Sequence, residues 1–237
     1  MDVIRRLLGQ VWNFAADESP VHYNFDGEEW SDDDWRHRFN WTMTYDKTNK
    51  DIYLPNGKLQ QRTHPNIRNY SAIALQKTHG GILISSHRNN EAEIETYAKI
   101  LQRYIPIDIN GKCGHLWKCG TQYIHDNCFD ILNSTYKFCL AFENSLCRCY
   151  FSEKLFENYN NDSLIVTTGG VQGEVSVTFP HGTVISTDSF QSVDERDEYL
   201  AALHMSPELY VVRLKDMDKY YSGSYSSVHQ NAMCRLC

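Results

Sequence analysis

The apolar run Gly80-Gly81-Ile-Leu-Ile-Ser85 precedes a segment, residues 91–104, in which Ile94, Tyr97, Ala98, Leu101 and Tyr104 recur at helical spacing. A short apolar run buried on both faces reads as a strand of a parallel sheet. Ile105-Pro-Ile-Asp-Ile109 follows as a second strand, closed by Asn110-Gly111. Parallel strands need a crossover connection, and strand, helix and strand within about 30 residues make one βαβ unit. That unit commits the chain to an α/β fold with a mostly parallel sheet, Rossmann-like in class.

The alternation continues. Residues 113–135 form a cysteine-bearing stretch ending in a short helix around Phe129–Leu132. Tyr136–Glu143 is a strongly apolar strand. Residues 152–160 read as a helix with Ser152 as N-cap, and Leu164–Val166 as a strand ending at Gly169-Gly170. Ser192 caps a last helix through Leu203, with Glu195 completing a capping box. Ahead of the βαβ unit, residues 39–45 read as a strand, 46–70 as loop, and Ser71–Lys77 as a short apolar stretch. No G-x-G-x-x-G follows a strand, and neither a P-loop nor H-E-x-x-H is present, which argues against a nicotinamide dehydrogenase, a P-loop nucleotidase and a zinc protease.

A chain that is 41% hydrophobic with 15 Tyr, 10 Phe and 5 Trp can bury a sizeable core, which excludes global disorder. A net charge of −7 speaks against nucleic acid as a partner. No apolar run approaches the roughly 18–20 residues of a membrane span. The first residues, with Arg5 and Arg6 before a broken apolar stretch, do not read as a signal or anchor. All eight cysteines (Cys113, Cys119, Cys128, Cys139, Cys147, Cys149, Cys234 and Cys237) lie in the second half, so a disulfide-stapled lobe is expected. Zinc bound through Cys234-Arg-Leu-Cys237 and scattered thiols are the alternatives. Sequons at Asn40, Asn69, Asn133 and Asn161 agree with a secretory setting.

The densest chemistry lies in Phe142-Glu-Asn-Ser-Leu-Cys-Arg-Cys-Tyr-Phe-Ser-Glu-Lys-Leu155. A buried strand delivers Glu143 and Asn144 to its carboxyl end, where open α/β sheets bind ligands. The helix that follows opens with Glu153 and Lys154. Its free N–H groups and the lysine suit a diphosphate, and Glu153 suits a ribose diol. Ordinary capping and a solvated lysine account for the same pattern.

This segment resembles the signature of glycosyltransferase family 10, the α1,3-fucosyltransferases, which runs F-E-N-S, three residues, D-Y, two residues, E-K-L. Phe39-Asn-Trp-Thr-Met-Thr-Tyr45 resembles the family's F-N-W-T-x-x-Y. Asp51-Ile52 with Pro55-Asn-Gly57, Ile84-Ser-Ser86, Ile107-Asp-Ile-Asn-Gly111, Asp188-Ser-Phe190 and the terminal Cys234–Cys237 extend the likeness over almost the whole chain. Glu18-Ser19-Pro20-Val21-His22 resembles its E-S-P-x-H segment.

The resemblance implies a GT-B-like α/β fold. Residues 1–70 would be a partial N-terminal acceptor lobe, and 71–237 a Rossmann-like lobe binding GDP-fucose. It implies an inverting α1,3-fucosyltransferase acting on a GlcNAc hydroxyl of a protein-linked glycan, with a relative that binds glycan or nucleotide without catalysis as the alternative. Glu18 is implied as the general base, and Asn144, Tyr150, Glu153 and Lys154 as donor-binding residues. His22 would line the acceptor cleft. No cofactor or bound metal is implied, a divalent cation acting as a stimulant only. The implied setting is the Golgi lumen, reached through a family membrane anchor that this chain lacks. Two motif positions differ: the phosphate-contacting arginine falls at Glu93, with Arg88 close by, and the aspartate before Tyr150 is Cys149.

Overall fold

A computed structural model describes residues 7–20, 38–48, 50–85, 94–110, 134–171, 173–223 and 225–235. Three short parallel strands, β1 (Asn13–Ala16), β2 (Trp41–Thr44) and β3 (Ile52–Tyr53), make the first sheet in that order. β2 falls inside the strand expected over 39–45. The region 46–70, expected as loop, contains β3 and also β4 (Leu59–Gln61). Strands of two or three residues carry no readable alternation; these exist because partners elsewhere pair with them.

Helix α1 (Tyr70–Gln76) is capped by Asn69, whose side chain accepts the Ala72 N–H at 3.0 Å. Then come β5 (His79–Ile84), α2 (Ile94–Leu101), β6 (Ile107–Asn110), β7 (Tyr136–Phe142), α3 (Glu153–Asn158), β8 (Leu164–Thr168), α4 (Glu174–Thr178) and β9 (Ile185–Ser186). The five strands pair in parallel in the order β6-β5-β7-β8-β9. β7 is buried along its whole length, as its apolar run requires of a central strand. On α2 the buried residues are Ile94, Ala98 and Leu101, and Tyr97 packs edge-on against Phe142 with ring centroids 5.0 Å apart. The helix stops at Leu101, so Tyr104 lies beyond it, exposed, with its hydroxyl donating to Asp194 at 3.0 Å. Each fully buried Leu or Ile of this core contributes about 1.5–3 kcal/mol.

The helix begun at Ser192 is not the last. α5 (Val193–Met205) is followed by α6 (Pro207–Met217), β10 (Tyr220–Ser222) and α7 (Tyr225–Met233). Ser206 ends one helix and caps the next, with Pro207 in its first turn. The capping box at Ser192 is half formed. Its side chain accepts the Glu195 N–H at 3.1 Å, while Glu195 accepts from Gln191 N at 2.7 Å.

The C-terminal elements return to the N-terminal part. β10 pairs antiparallel with β4, and Ala232 joins the cluster of Met43, Ile52 and Leu54. Asp218, at the end of α6, accepts from Tyr70 Oη at 2.7 Å and Asn66 Nδ2 at 2.9 Å and pairs with Arg62 at 3.4 Å. The long connection before α1 is thereby tied to the second half.

Cys139, Cys147, Cys149 and Cys234 are free thiols. The expected disulfides therefore find no bond among these four; Cys113, Cys119, Cys128 and Cys237 lie outside the described residues, as does the helix expected around Phe129–Leu132. Among the described residues no helix is long and apolar enough to cross a membrane.

Candidate functional site

In the order β6-β5-β7-β8-β9 the chain runs outward from β5 to β6, then crosses back to β7 on the other side. Ligands of doubly wound sheets bind at this reversal, outside the carboxyl ends of the strands. Those ends carry Ser85 after β5, and Glu143 and Asn144 after β7. Arg88 and Glu93 lie outside the described residues.

Glu143 is fully buried, and its Oε1 accepts the Ser152 backbone N–H at 2.8 Å. Burial pushes its carboxyl up to about 7; the Ser152 bond and the charge of Lys154 pull the other way. Ser152 was expected to cap α3 with its hydroxyl. It stands at the cap, but its side chain makes no capping bond, and the carboxylate of Glu143 anchors the turn instead. The side-chain oxygen of Asn144 is buried and meets no hydrogen-bond donor among the described residues.

Between β7 and α3, four successive residues reach three other parts of the chain. Cys147 Sγ lies 3.2 Å from Ser19 Oγ. Arg148 pairs with Asp46 at 2.8 Å. Cys149 N–H donates to Glu174 Oε2 at 2.7 Å. Tyr150 Oη donates to Glu18 Oε2 at 2.6 Å. Tyr150 is buried to 1% exposure and stacks edge-on against Tyr45 at 5.1 Å. Burial, then the bond to Glu18, pushes its phenol well above the usual range.

A cleft of about 190 Å³ opens beside Glu18, lined by Asp17, Glu18, Asn56, Glu153 and Glu157. Asn56 is buried and donates to Asp17 O at 3.0 Å. Carboxylates of this density suit hydroxyl-rich ligands, which donate to them. Among the described residues no group of His, Cys, Asp and Glu is arranged to hold a metal ion.

Of the expected site residues, Glu18 and Glu153 line this cleft, and buried Tyr150 is joined to it through its hydrogen bond to Glu18. Asn144 is at the strand end and half-buried. Lys154 is half-buried in the first turn of α3, and its charge opposes part of the rise that burial imposes on the Glu143 carboxyl. Glu18 is exposed. His22 lies outside the described residues. Asn56, Glu157 and Glu174 escaped sequence reasoning; only Asn56 carried a signal, inside Pro55-Asn-Gly57. Of the sequons, Asn40 and Asn69 are exposed and Asn133 lies outside the described residues. Asn161 is 7% exposed, and its amide nitrogen lies 3.4 Å from Asn158 Oδ1, a burial that speaks against this sequon as a glycan carrier in the folded chain.

The family model described as glycosyltransferase family 10 (fucosyltransferase) C-term matches residues 74–237. Glycoprotein 3-alpha-L-fucosyltransferase A of Drosophila melanogaster is 35% identical over 205 residues, covering 84% of this chain and 38% of that protein. Alpha-(1,3)-fucosyltransferase C of the same organism is 29% identical over 248 residues, covering 96% of this chain and 54% of that protein. The chain thus spans between 38% and 54% of these two relatives' length. A crystal structure of an alpha1,3-fucosyltransferase superposes with a TM-score of 0.53 at 20% identity, covering 69% of this chain and 45% of that one. One solved with GDP-fucose gives 0.50 at 23%, covering 60% and 39%. These two likenesses bear on the fold, which is α/β and GT-B-like.

Proposed function

The chain belongs to glycosyltransferase family 10, and from that premise we propose that it takes part in α1,3-fucosyl transfer from GDP-fucose to a GlcNAc hydroxyl of a protein-linked glycan. The observation that carries this reading is the 2.6 Å hydrogen bond between Tyr150 and Glu18, which joins the E-S-P segment to the F-E-N-S segment beside Glu153.

In this reading the acceptor hydroxyl enters the cleft and gives its proton to Glu18 as its oxygen attacks the anomeric carbon of fucose. The bond from that carbon to the diphosphate breaks on the opposite face, so configuration inverts and GDP leaves with the electron pair. Tyr150 fixes one oxygen of Glu18 and leaves the carboxylate oriented toward the acceptor. Glu153 accepts hydrogen bonds from the ribose of GDP. Lys154, in the first turn of α3, offsets the charge developing on the diphosphate. Asn144 donates to the donor at the switch point. His22 lines the acceptor side. The residue set 1–70 serves the acceptor and 71–237 the donor. The setting is the Golgi lumen, with a membrane anchor belonging to the longer family architecture.

A second reading has one observation behind it. Among the described residues the cleft is lined by four carboxylates and no cation, a lining that suits glycan binding without transfer. The two readings separate in one experiment. The folded chain is incubated with GDP-fucose and a GlcNAc-terminated glycopeptide, and product is followed by mass spectrometry beside Glu18→Gln, with GDP and glycopeptide binding each measured by calorimetry. Transfer that falls about 100-fold or more in Glu18→Gln at unchanged GDP affinity supports the enzyme. Saturable binding of the glycopeptide or of GDP without transfer supports the binding protein. Loss of both overturns the two.

A further inference from the structure

Cys149 has φ of 59°, a left-handed conformation that residues with a β-carbon seldom adopt. Its neighbour in the chain, Tyr150, is the residue that holds Glu18. Whatever keeps Cys149 in this conformation therefore sets where the Tyr150 hydroxyl points.

The Tyr150 N–H donates to Cys147 O at 3.1 Å and closes the turn, and one carboxylate ties that turn to another element. Glu174 Oε2 accepts the Cys149 N–H at 2.7 Å and the Val171 N–H at 2.9 Å, and its Oε1 lies 3.3 Å from Cys149 Sγ. The approach needs the glycine at 170: a Cβ built there would sit 2.3 Å from Glu174 Oε2. Gly170 also donates its N–H to Tyr150 O at 3.2 Å. Both peptide groups around the Cys149–Tyr150 bond are thus tied to residues 170–174. Where the family signature carries an aspartate before the tyrosine, this chain has a thiol, and the carboxylate arrives from another element.

We infer that Glu174 is a positioning residue: by holding the left-handed turn at Cys149 it aims Tyr150 at Glu18 and so fixes the carboxylate that acts as base. The inference rests on the reading of Glu18 as the base, but its geometric half is testable apart from it.

The test compares the full chain with Glu174→Ala, Glu174→Gln and the double variant Glu174→Ala/Cys149→Gly. Two readouts are taken: backbone hydrogen exchange of peptides spanning 147–151 and 15–20, and the kinetics of fucosyl transfer. Glu174→Ala is expected to speed exchange in both peptides and to lower kcat about 10- to 100-fold, the range a small misplacement costs, with donor KM held within about twofold. Glu174→Gln keeps one acceptor oxygen and falls between. Glycine adopts positive φ without steric cost, so the double variant should recover to within about threefold of the parent in kcat and regain slow exchange. A purely structural role would lower melting temperature without that rescue. Unchanged exchange at 15–20 in Glu174→Ala, or a double variant as impaired as the single, would overturn the inference. A parent chain with no transfer would sink the reading of function, while the exchange data would still decide the positioning.

Discussion

The buried carboxylate of Glu143 accepts the backbone N–H of Ser152 at 2.8 Å, so the end of the central strand holds the start of the helix that presents Glu153 and Lys154. The group sits with no solvent exposure, and its carboxyl is pushed up to about 7 from an ordinary 4.5.

A raised carboxyl pKa means that the folded chain binds the proton more tightly than the unfolded one. The contribution is fully present below about pH 4.5 and is lost as pH rises through about 7, a span worth about 3 kcal/mol. Glu143→Gln keeps an acceptor oxygen for Ser152 and cannot ionise. Denaturant unfolding at pH 5 and pH 8 should show the variant gaining on the parent by about that amount at the higher pH. A constant difference across the two would reject the assignment.

Gly57 lies against Phe156, and a Cβ there would meet Phe156 Cγ at 2.0 Å. Gly57→Ala should cost about 1–3 kcal/mol through overpacking. Adding Phe156→Leu should return part of that loss, giving a non-additive double-mutant cycle by chemical denaturation. Additive losses would mean that the ring is not the obstacle.

Tyr150→Phe keeps the ring against Tyr45 and removes only the hydroxyl that bonds Glu18. A hydrogen bond to a charged group is worth about 1.5–3 kcal/mol, so kcat should fall about 10- to 100-fold with GDP affinity unchanged. Steady-state kinetics with calorimetry reads both. A variant as fast as the parent would remove Tyr150 from the mechanism.

Lys154→Ala should weaken GDP binding about tenfold or more at low salt, and less at 0.5 M salt, because screening already discounts an accessible charge. Calorimetry at two ionic strengths measures this. Equal affinity for parent and variant at low salt would place the diphosphate elsewhere.

In a secreted preparation, intact-mass analysis of Asn40→Gln, Asn69→Gln and Asn161→Gln tests the sequons. Asn40 and Asn69 are exposed, and Asn69 uses only Oδ1 for its cap, leaving the nitrogen free to carry a glycan. Loss of a glycan is expected from these two and not from Asn161, which is buried.

What could be read from the chain and what could not divide along a physical line. Periodicity reports burial within one element. The βαβ unit around Gly80–Ile109, the fully buried β7 and the helix after Ser152 were therefore all legible, and so were the motif residues Glu18, Tyr150 and Glu153 as candidates. Only the folded chain decided what depends on a partner far away in sequence. β4 is a strand because β10 pairs with it. Glu18 meets Tyr150 across 132 residues. Asn161 has the letters of a glycosylation site, but packing buries it. Glu174 carried no signal, since its meaning lies in the N–H of a cysteine 25 positions back. Local sequence specifies which faces are apolar and which chemistry is on offer; the satisfaction of buried polar groups is a property of neighbours in space, and that was settled by the tertiary structure alone.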